Sequence, residues 1–253
     1  MSRDSSSIEA GAAPPFLSGV ILAAGASTRM GQLKQLLPLG ERPLLEWVLR
    51  EVAGSRLDEI VLVLGHAAEE IQRRVRLPET ERPCRVVVNH DHARGQSGSL
   101  TLGLGATDSR AVAAAILLGD QPGVTRALID RVASAFLDAG LPAARPVYDD
   151  GARGRVPGHP VFLARRLWGH VEALRGYEGA RALLAAHPEW LLEVPVGGPA
   201  PVDVDTWRDY EACRQRQRLG MGAPFATSAS HGCDAPRPDD GAAEGIDGGE
   251  RSE

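Results

Sequence analysis

Lysine is almost missing from this chain. Of 28 basic residues only Lys34 is a lysine, and the rest are arginine. A GC-rich genome would bias a chain that way, yet one position has kept a compact, point-like ammonium. Cysteine is scarce as well. Cys84, Cys213 and Cys233 are odd in number, far apart and without a CxxC pair. That pattern supports neither a disulfide framework nor a zinc ribbon, and it makes reduced cytoplasm the expected compartment. The longest uninterrupted apolar run, Ala111 to Leu118, has eight residues, against about 20 for a membrane helix. The N-terminus is Ser- and Ala-rich and lacks the basic-then-apolar order of a secretory signal. The expectation is a soluble protein with no membrane partner. Surplus positive charge is missing too. The formal net charge is −5, and residues 220–253, with seven acids and two arginines, supply all of it. A neutral body cannot neutralise many phosphates at once, so no nucleic-acid partner is expected.

With 253 residues and 43% hydrophobic composition, the chain can build a real core. Residues 1–17, with a Ser triplet and Ala-Ala-Pro-Pro, read as a disordered leader. Residues 219–253, rich in Gly and acid and poor in large apolar side chains, read as a disordered tail. The folded unit is then 18–218, a usual size for one α/β domain. Within it, strand-like runs (Ser18–Ala24, Glu59–Leu64, Arg85–Asn89, Ala113–Leu118) alternate with helical stretches (Pro43–Ala53, Ala67–Arg76, Ser97–Ala106, Thr125–Ala139). That alternation predicts a mostly parallel sheet with helices on both faces. The rhythm then changes. Ala144–Tyr148 and Pro160–Leu163 flank a Gly/Arg/Pro loop, which predicts an irregular or antiparallel insertion. Helices near Ala164–Leu174 and Gly179–Ala186, a strand Trp190–Val194, an extended Val202–Asp205 and a closing helix from Thr206 complete the reading. Ligands of such sheets bind beyond the carboxyl ends of the strands, which places Gly25, Asn89 and Asp120 on one rim.

The strongest local signal is Leu22-Ala-Ala-Gly-Ala-Ser-Thr-Arg-Met-Gly31, followed by Lys34. A buried strand opens into a loop in which Ala23, Ala24, Gly25 and Ala26 have almost no side chain. A ligand can therefore reach the backbone N–H groups, while Arg29 and Lys34 bring two cations. Amides plus cations suit a polyphosphate. Neither a Walker loop nor GxGxxG is present. The alternative is a small-residue loop kept for tight packing. Asp120 follows a buried strand in Gly119-Asp-Gln-Pro122, where it is either a rim carboxylate or a turn former before Pro122.

These residues resemble the signature of the MobA-like nucleotidyltransferases. Gly119-Asp-Gln-Pro122 resembles that family's metal-binding turn, and Gly158-His-Pro-Val161 and Pro201-Val-Asp-Val-Asp-Thr206 narrow the match, which spans about residues 18–212. The resemblance implies a three-layer α/β/α Rossmann-like nucleotidyltransferase fold with a small substrate-side insertion. The family's GTP-using branch shows Leu-Ala-Gly-Gly and a double Gly after Arg-Met. Ala24 and the single Gly31 depart from that and favour the branch that joins CMP from CTP to molybdopterin.

The resemblance also implies roles. Arg29, Lys34 and Asp120 would be catalytic. Leu22, Ala23, Ala24, Gly25, Ser27, Arg29, Lys34, Asn89, Gly95, Ser97 and Ser99 would hold the nucleotide. Asp120 and Asp205 would bind Mg²⁺, with Mn²⁺ as the alternative ion, and Asp203 is the rival of Asp205. Hard oxygen ligands plus phosphate oxygens suit such an ion. His159 and Gln121 would face the pterin substrate. Each has a plainer reading: Ser97 as a helix cap, Asp205 as the N-cap region before Thr206, and His159 as a loop anchor. Trp168, Trp190 and Trp207 read as packing residues. The partners implied are CTP, molybdopterin (the molybdenum cofactor) and, in transient contact, a recipient molybdenum hydroxylase, with the chain a monomer or weak dimer. The rival functions are a GTP-dependent guanylyltransferase or sugar- or polyol-phosphate nucleotidyltransferase of the same fold, and a non-catalytic chaperone for the cofactor.

Overall fold

The structure is a computed structural model that describes residues 13–218 except 152, 153 and 177. The expected tail, 219–253, and residues 1–12 of the expected leader lie outside the described residues. The leader's last residue, Leu17, opens the first strand and is buried, so the folded unit starts earlier than expected.

The strands are β1 (Leu17–Ala23), β2 (Pro38–Leu39), β3 (Arg42–Pro43), β4 (Glu59–Leu64), β5 (Cys84–Val88), β6 (Ala113–Leu118), β7 (Ala143–Asp149), β8 (Arg155–Pro157), β9 (Val161–Ala164) and β10 (Leu191–Val196). The helices are α1 (Leu44–Ala53), α2 (Ala68–Arg74), α3 (Gln96–Gly105), α4 (Arg126–Ala139), α5 (Trp168–Val171), α6 (Ala180–Ala186) and α7 (Trp207–Arg218). The main sheet runs β10-β7-β9-β6-β1-β4-β5, with β8 hung on β7. β1 is parallel to β4 and β6, and β4 to β5. β9 is antiparallel to both β6 and β7, while β10 is parallel to β7. β2 and β3 form a separate antiparallel pair. The sheet is thus mostly parallel, and the antiparallel strands β8 and β9 fall where the sequence rhythm breaks.

Side chains alternate across a strand, and β1 is buried along its whole length, as a strand covered on both faces should be. Ile21, Leu62 and Leu117 share one core with α1 and α4. Val20, Val61, Val63 and Ile116 share a second core with α3, α5 and α6. A third, small cluster of Met30, Leu37, Leu44, Val204 and Tyr210 lies at the carboxyl rim and positions the site.

Several elements differ from expectation. The stretch Ala164–Leu174 is the end of β9, a 3-10 turn and the short α5, because Val161–Ala164 is a buried strand that still pairs with β6. The last strand runs on to Val196 in register with Tyr148. Val202–Asp205 forms no strand, and Asp205 N–H turns back to the Asp203 carbonyl at 3.0 Å. Thr125 caps α4 as expected, accepting from Leu128 N–H. Ser97 is not a cap: α3 starts at Gln96 after Gly95, and no side chain caps it. Trp207 is exposed and meets the Tyr210 ring edge-on.

Candidate active site

The loop after β1 is held from beneath and left open above. Gln35, buried, donates from Nε2 to the carbonyls of Ala23 and Gly25 at 3.0 and 3.1 Å. Ser27 Oγ accepts the Lys34 N–H at 3.2 Å, and Met30 N–H closes a turn onto the Ser27 carbonyl at 3.0 Å. Met30 itself is buried in the third cluster. Leu22, Ala23 and Ala24 are buried, whereas Gly25, Ala26, Thr28 and Arg29 are exposed. A Cβ on Gly25 would meet nothing within 4 Å, so the space above it is available to a ligand. The Ser27 hydroxyl, an expected nucleotide contact, is engaged within the loop.

Asp120 is brought to this loop by close backbone packing. Gly119 N–H donates to the Leu22 carbonyl at 2.9 Å, and a Cβ on Gly119 would stand 2.7 Å from Ala23 Cβ. The Asp203–Asp205 segment arrives through its middle residue. Val204 is fully buried beside Met30, and its N–H donates to the Asp120 carbonyl at 3.1 Å. The carboxylates on either side of Val204 then part company. Asp205 accepts from Arg29 at 2.8 Å and from Lys34 Nζ at 2.9 Å. Asp203 accepts from Gln121 Nε2. Lys34 Nζ completes the cluster with a 2.5 Å bond to Asp120. One ammonium therefore bridges Asp120 and Asp205, and a guanidinium closes the row. Thr206 and Asp209 form a reciprocal cap at the start of α7, so Asp205 is free of the expected N-cap duty.

Next to the cluster is a cavity of about 530 Å³, within the range of small-molecule sites. Gln121, His159 and Asp203 line one part of it, Arg145, Asp150 and Arg181 line another, and Leu22, Leu100, Ile116, Leu118 and Val161 supply apolar wall. Both residues expected to face the acceptor, Gln121 and His159, are on this wall. His159 precedes a cis proline. Burial pulls its imidazole down to about 4, against an opposing pull from Asp120, so it is neutral at physiological pH.

The third expected group, at the end of β5, is internally bonded. Asn89 Nδ2 donates to Ser99 Oγ at 2.9 Å, and Asn89 Oδ1 accepts the Asp91 N–H at 3.0 Å. Asn89, Ser97 and Ser99 are buried. Gly95 has φ +121°, and a Cβ there would lie 2.1 Å from the Gly176 carbonyl oxygen. Ser97 N–H donates to that same oxygen at 3.1 Å. The group knits β5, α3 and the segment before α6 together beside the loop. Packing accounts for Gly95.

A family model described as the MobA-like NTP transferase domain matches residues 19–190. The chain belongs to the MobA-like NTP transferase family. Two curated relatives are each 31% identical. Nicotine blue oxidoreductase of Paenarthrobacter nicotinovorans aligns over 81% of this chain and 97% of its own. Purine catabolism protein PucB of Bacillus subtilis aligns over 79% and 97%. Molybdenum cofactor cytidylyltransferase of Escherichia coli is more distant, at 23% over 78% and 95%. Among solved structures, Rv0371c of Mycobacterium tuberculosis superposes with a TM-score of 0.69 at 30% identity, covering 81% of this chain and all of that one. A manganese complex of the same protein superposes at 0.66 and 29%, covering 80% of this chain and 100% of that one.

As a MobA-like transferase, the chain has a donor set that fits a divalent cation. Among the described residues Asp120 Oδ1 is buried without a hydrogen-bond partner, and Asp205 offers a second carboxylate. Among the described residues no group of three or more His, Cys, Asp or Glu is arranged for a metal. Two carboxylates suit an ion that completes its shell with water and phosphate. Electrostatics hold the cluster together. Burial disfavours the Lys34 ammonium, but attraction and hydrogen bonds from Asp120 and Asp205 outweigh it and raise its pKa. Burial raises Asp120 against the pull of Lys34. At Asp205 burial is outweighed by Lys34 and Arg29, which hold the carboxyl low. Sequence reasoning missed Gln35, which supports the loop, and Arg145 and Arg181 on the cavity wall. The position next to Lys34, already singled out, was a place to look for Gln35. Nothing local marks the two arginines in a chain this rich in them.

Proposed function

We propose that this MobA-like transferase moves CMP from CTP to the terminal phosphate of molybdopterin and releases pyrophosphate, in reduced cytoplasm and with Mg²⁺ as the metal. The observation that supports it most is the row Arg29–Asp205–Lys34–Asp120 beneath an open Gly25 loop and beside the cavity. The acceptor is a phosphate monoester with a second pKa near about 6, so it is largely dianionic at neutral pH and needs no protein nucleophile. One of its oxygens bonds to the α-phosphorus of CTP, the α–β bridging bond breaks, and pyrophosphate leaves with that electron pair. The protein has to bring anions together and neutralise the leaving charge. Lys34 and Arg29 turn from the carboxylates to the β- and γ-phosphates, and the amides of Gly25–Arg29 bind the phosphate oxygens. A cation held by Asp120 and Asp205 would supply charge neutralisation at the α-phosphate. Neutral His159 and Gln121 hydrogen-bond the acceptor without taking a proton.

A second reading comes from the higher identity to a relative named nicotine blue oxidoreductase. A reductase would consume a reduced cofactor and leave nucleoside triphosphates intact. The match to an NTP transferase domain and the open space above Gly25 beside Lys34 and Asp120 favour nucleotidyl transfer. Pyrophosphate release from CTP, GTP and UTP, with and without molybdopterin, tests the proposal. Release confined to CTP with molybdopterin is expected. A preference for GTP would move the chain to guanylyl transfer, and tight cofactor binding with no turnover would make it a chaperone.

A further inference from the structure

The cavity carries a cation that the Asp120 corner does not use. Arg145 on β7 lies in register with Glu193 on β10, and its Nη2 donates to that carboxylate at 2.6 Å. Arg155 donates to the other Glu193 oxygen at 3.0 Å. Two guanidiniums thus share one carboxylate. Arg145 has only 18% of its side chain exposed, and its Nε is buried with no hydrogen-bond partner among the described residues. An unmade bond at a buried charged group is costly, so its place on a cavity wall points to a ligand. Strand pairing explains the opening. β9 pairs with β7 only at Ala143 and Ala144, and one residue further on Arg145 lines the cavity.

We propose that Arg145 is a specificity residue for the acceptor. It donates to the hydrogen-bond-accepting edge of a flat heterocycle, a ring carbonyl with its adjacent ring nitrogen, while the acceptor's phosphate lies toward Asp120. The planar guanidinium fork matches such an edge, and an ammonium does not. The apolar wall covers the ring between the two ends. This assignment rests on the nucleotidyl-transfer reading above.

The test compares Arg145→Met and Arg145→Lys with the wild type and with Arg155→Gln, which removes the other guanidinium from Glu193. In CMP transfer to molybdopterin, Arg145→Met raises the acceptor KM about 10- to 100-fold, the scale of a hydrogen bond to a charged group. The KM for CTP stays within about twofold in the same variant, the signature of a contact made by the acceptor alone. Arg145→Lys does not recover the loss, and Arg155→Gln behaves as wild type. An unchanged acceptor KM, or an equal rise in both KM values, overturns the assignment. Should Arg145→Met fail to fold, Arg145→Lys, which keeps a cation opposite Glu193, carries the same comparison. Binding of 6-hydroxymethylpterin monophosphate, read by quenching of pterin fluorescence without nucleotide, separates this claim from the proposed function. Weaker binding by the variants supports the role of Arg145 even where the wild type transfers no CMP, a result that sinks the proposed function alone. Equal binding by wild type and the Arg145 variants, or binding by neither, overturns the role of Arg145.

Discussion

At the scale of single residues, the account turns on which side chains share an ion pair. Arg29 and Lys34, from one loop, meet Asp120 and Asp205, which are 86 and 171 residues beyond Lys34, within 2.9 Å contacts. Lys34→Gln and Asp120→Asn should each lose about 100- to 1,000-fold in turnover, the cost of removing one preorganised electrostatic contact. Circular dichroism should show both variants folded. The two rival acids separate by measurement. Asp205→Asn should weaken Mn²⁺ binding, read by electron paramagnetic resonance, whereas Asp203→Asn, on the Gln121 side, should leave it unchanged. The reverse pattern would make Asp203 the ligand. His159 gives a pH prediction. Its folded pKa, about 4, lies below the ordinary histidine value near about 6.5. The unfolded chain therefore binds more protons between those limits, and stability falls as pH drops through that window. His159→Gln should flatten that part of the curve of melting temperature against pH. A curve that keeps its slope would remove His159 from the explanation.

At the scale of elements, the legible parts were those whose burial leaves a local pattern. β1, β4 and β6 read as short apolar runs because helices cover both faces. The change from parallel to antiparallel pairing was legible at Pro160–Leu163, because a Gly/Arg/Pro loop interrupts the alternation there. Helix within Ala164–Leu174 was legible and its start was not: Ala164 ends the buried strand Val161–Ala164, and a short apolar run suits either structure. The β2–β3 pair was missed because two-residue strands have no period. Thr125 was readable as a cap because capping is local chemistry, and Thr125→Ala should cost about 1 kcal/mol in urea unfolding. Gly95 was read as a ligand contact, but its neighbour is Gly176 across the fold, which no local pattern reveals. Gly95→Ala should destabilise by about 2 kcal/mol or more, through positive φ and the clash with the Gly176 carbonyl. A neutral result would return Gly95 to the ligand.

On the scale of the whole molecule, the sheet carries three acidic and basic segments to one rim, and the third apolar cluster locks them there. Met30 and Val204 are the two pins: one follows Arg29 in the loop, and the other separates Asp203 from Asp205. The rim position of Gly25 and Asp120 was legible because it follows from the order of strands and helices. The split between Asp203 and Asp205 was not, since it depends on a turn in which Asp205 N–H reaches the Asp203 carbonyl. No helix of the described residues is long and apolar enough to cross a membrane. The expectation, read from composition, that residues 219–253 stand outside the folded unit has its own test. A chain ending at Arg218 should keep its melting temperature and its turnover. The central claim is that this rim transfers a nucleotidyl group. Its most direct test is a single turnover with CTP labelled at the α-phosphate, molybdopterin and Mg²⁺, followed by chromatography of the products. The account predicts label in a CMP–molybdopterin conjugate, formed by the wild type and lost in Asp120→Asn. Label remaining in CTP with the wild type, or equal transfer by the variant, would contradict it.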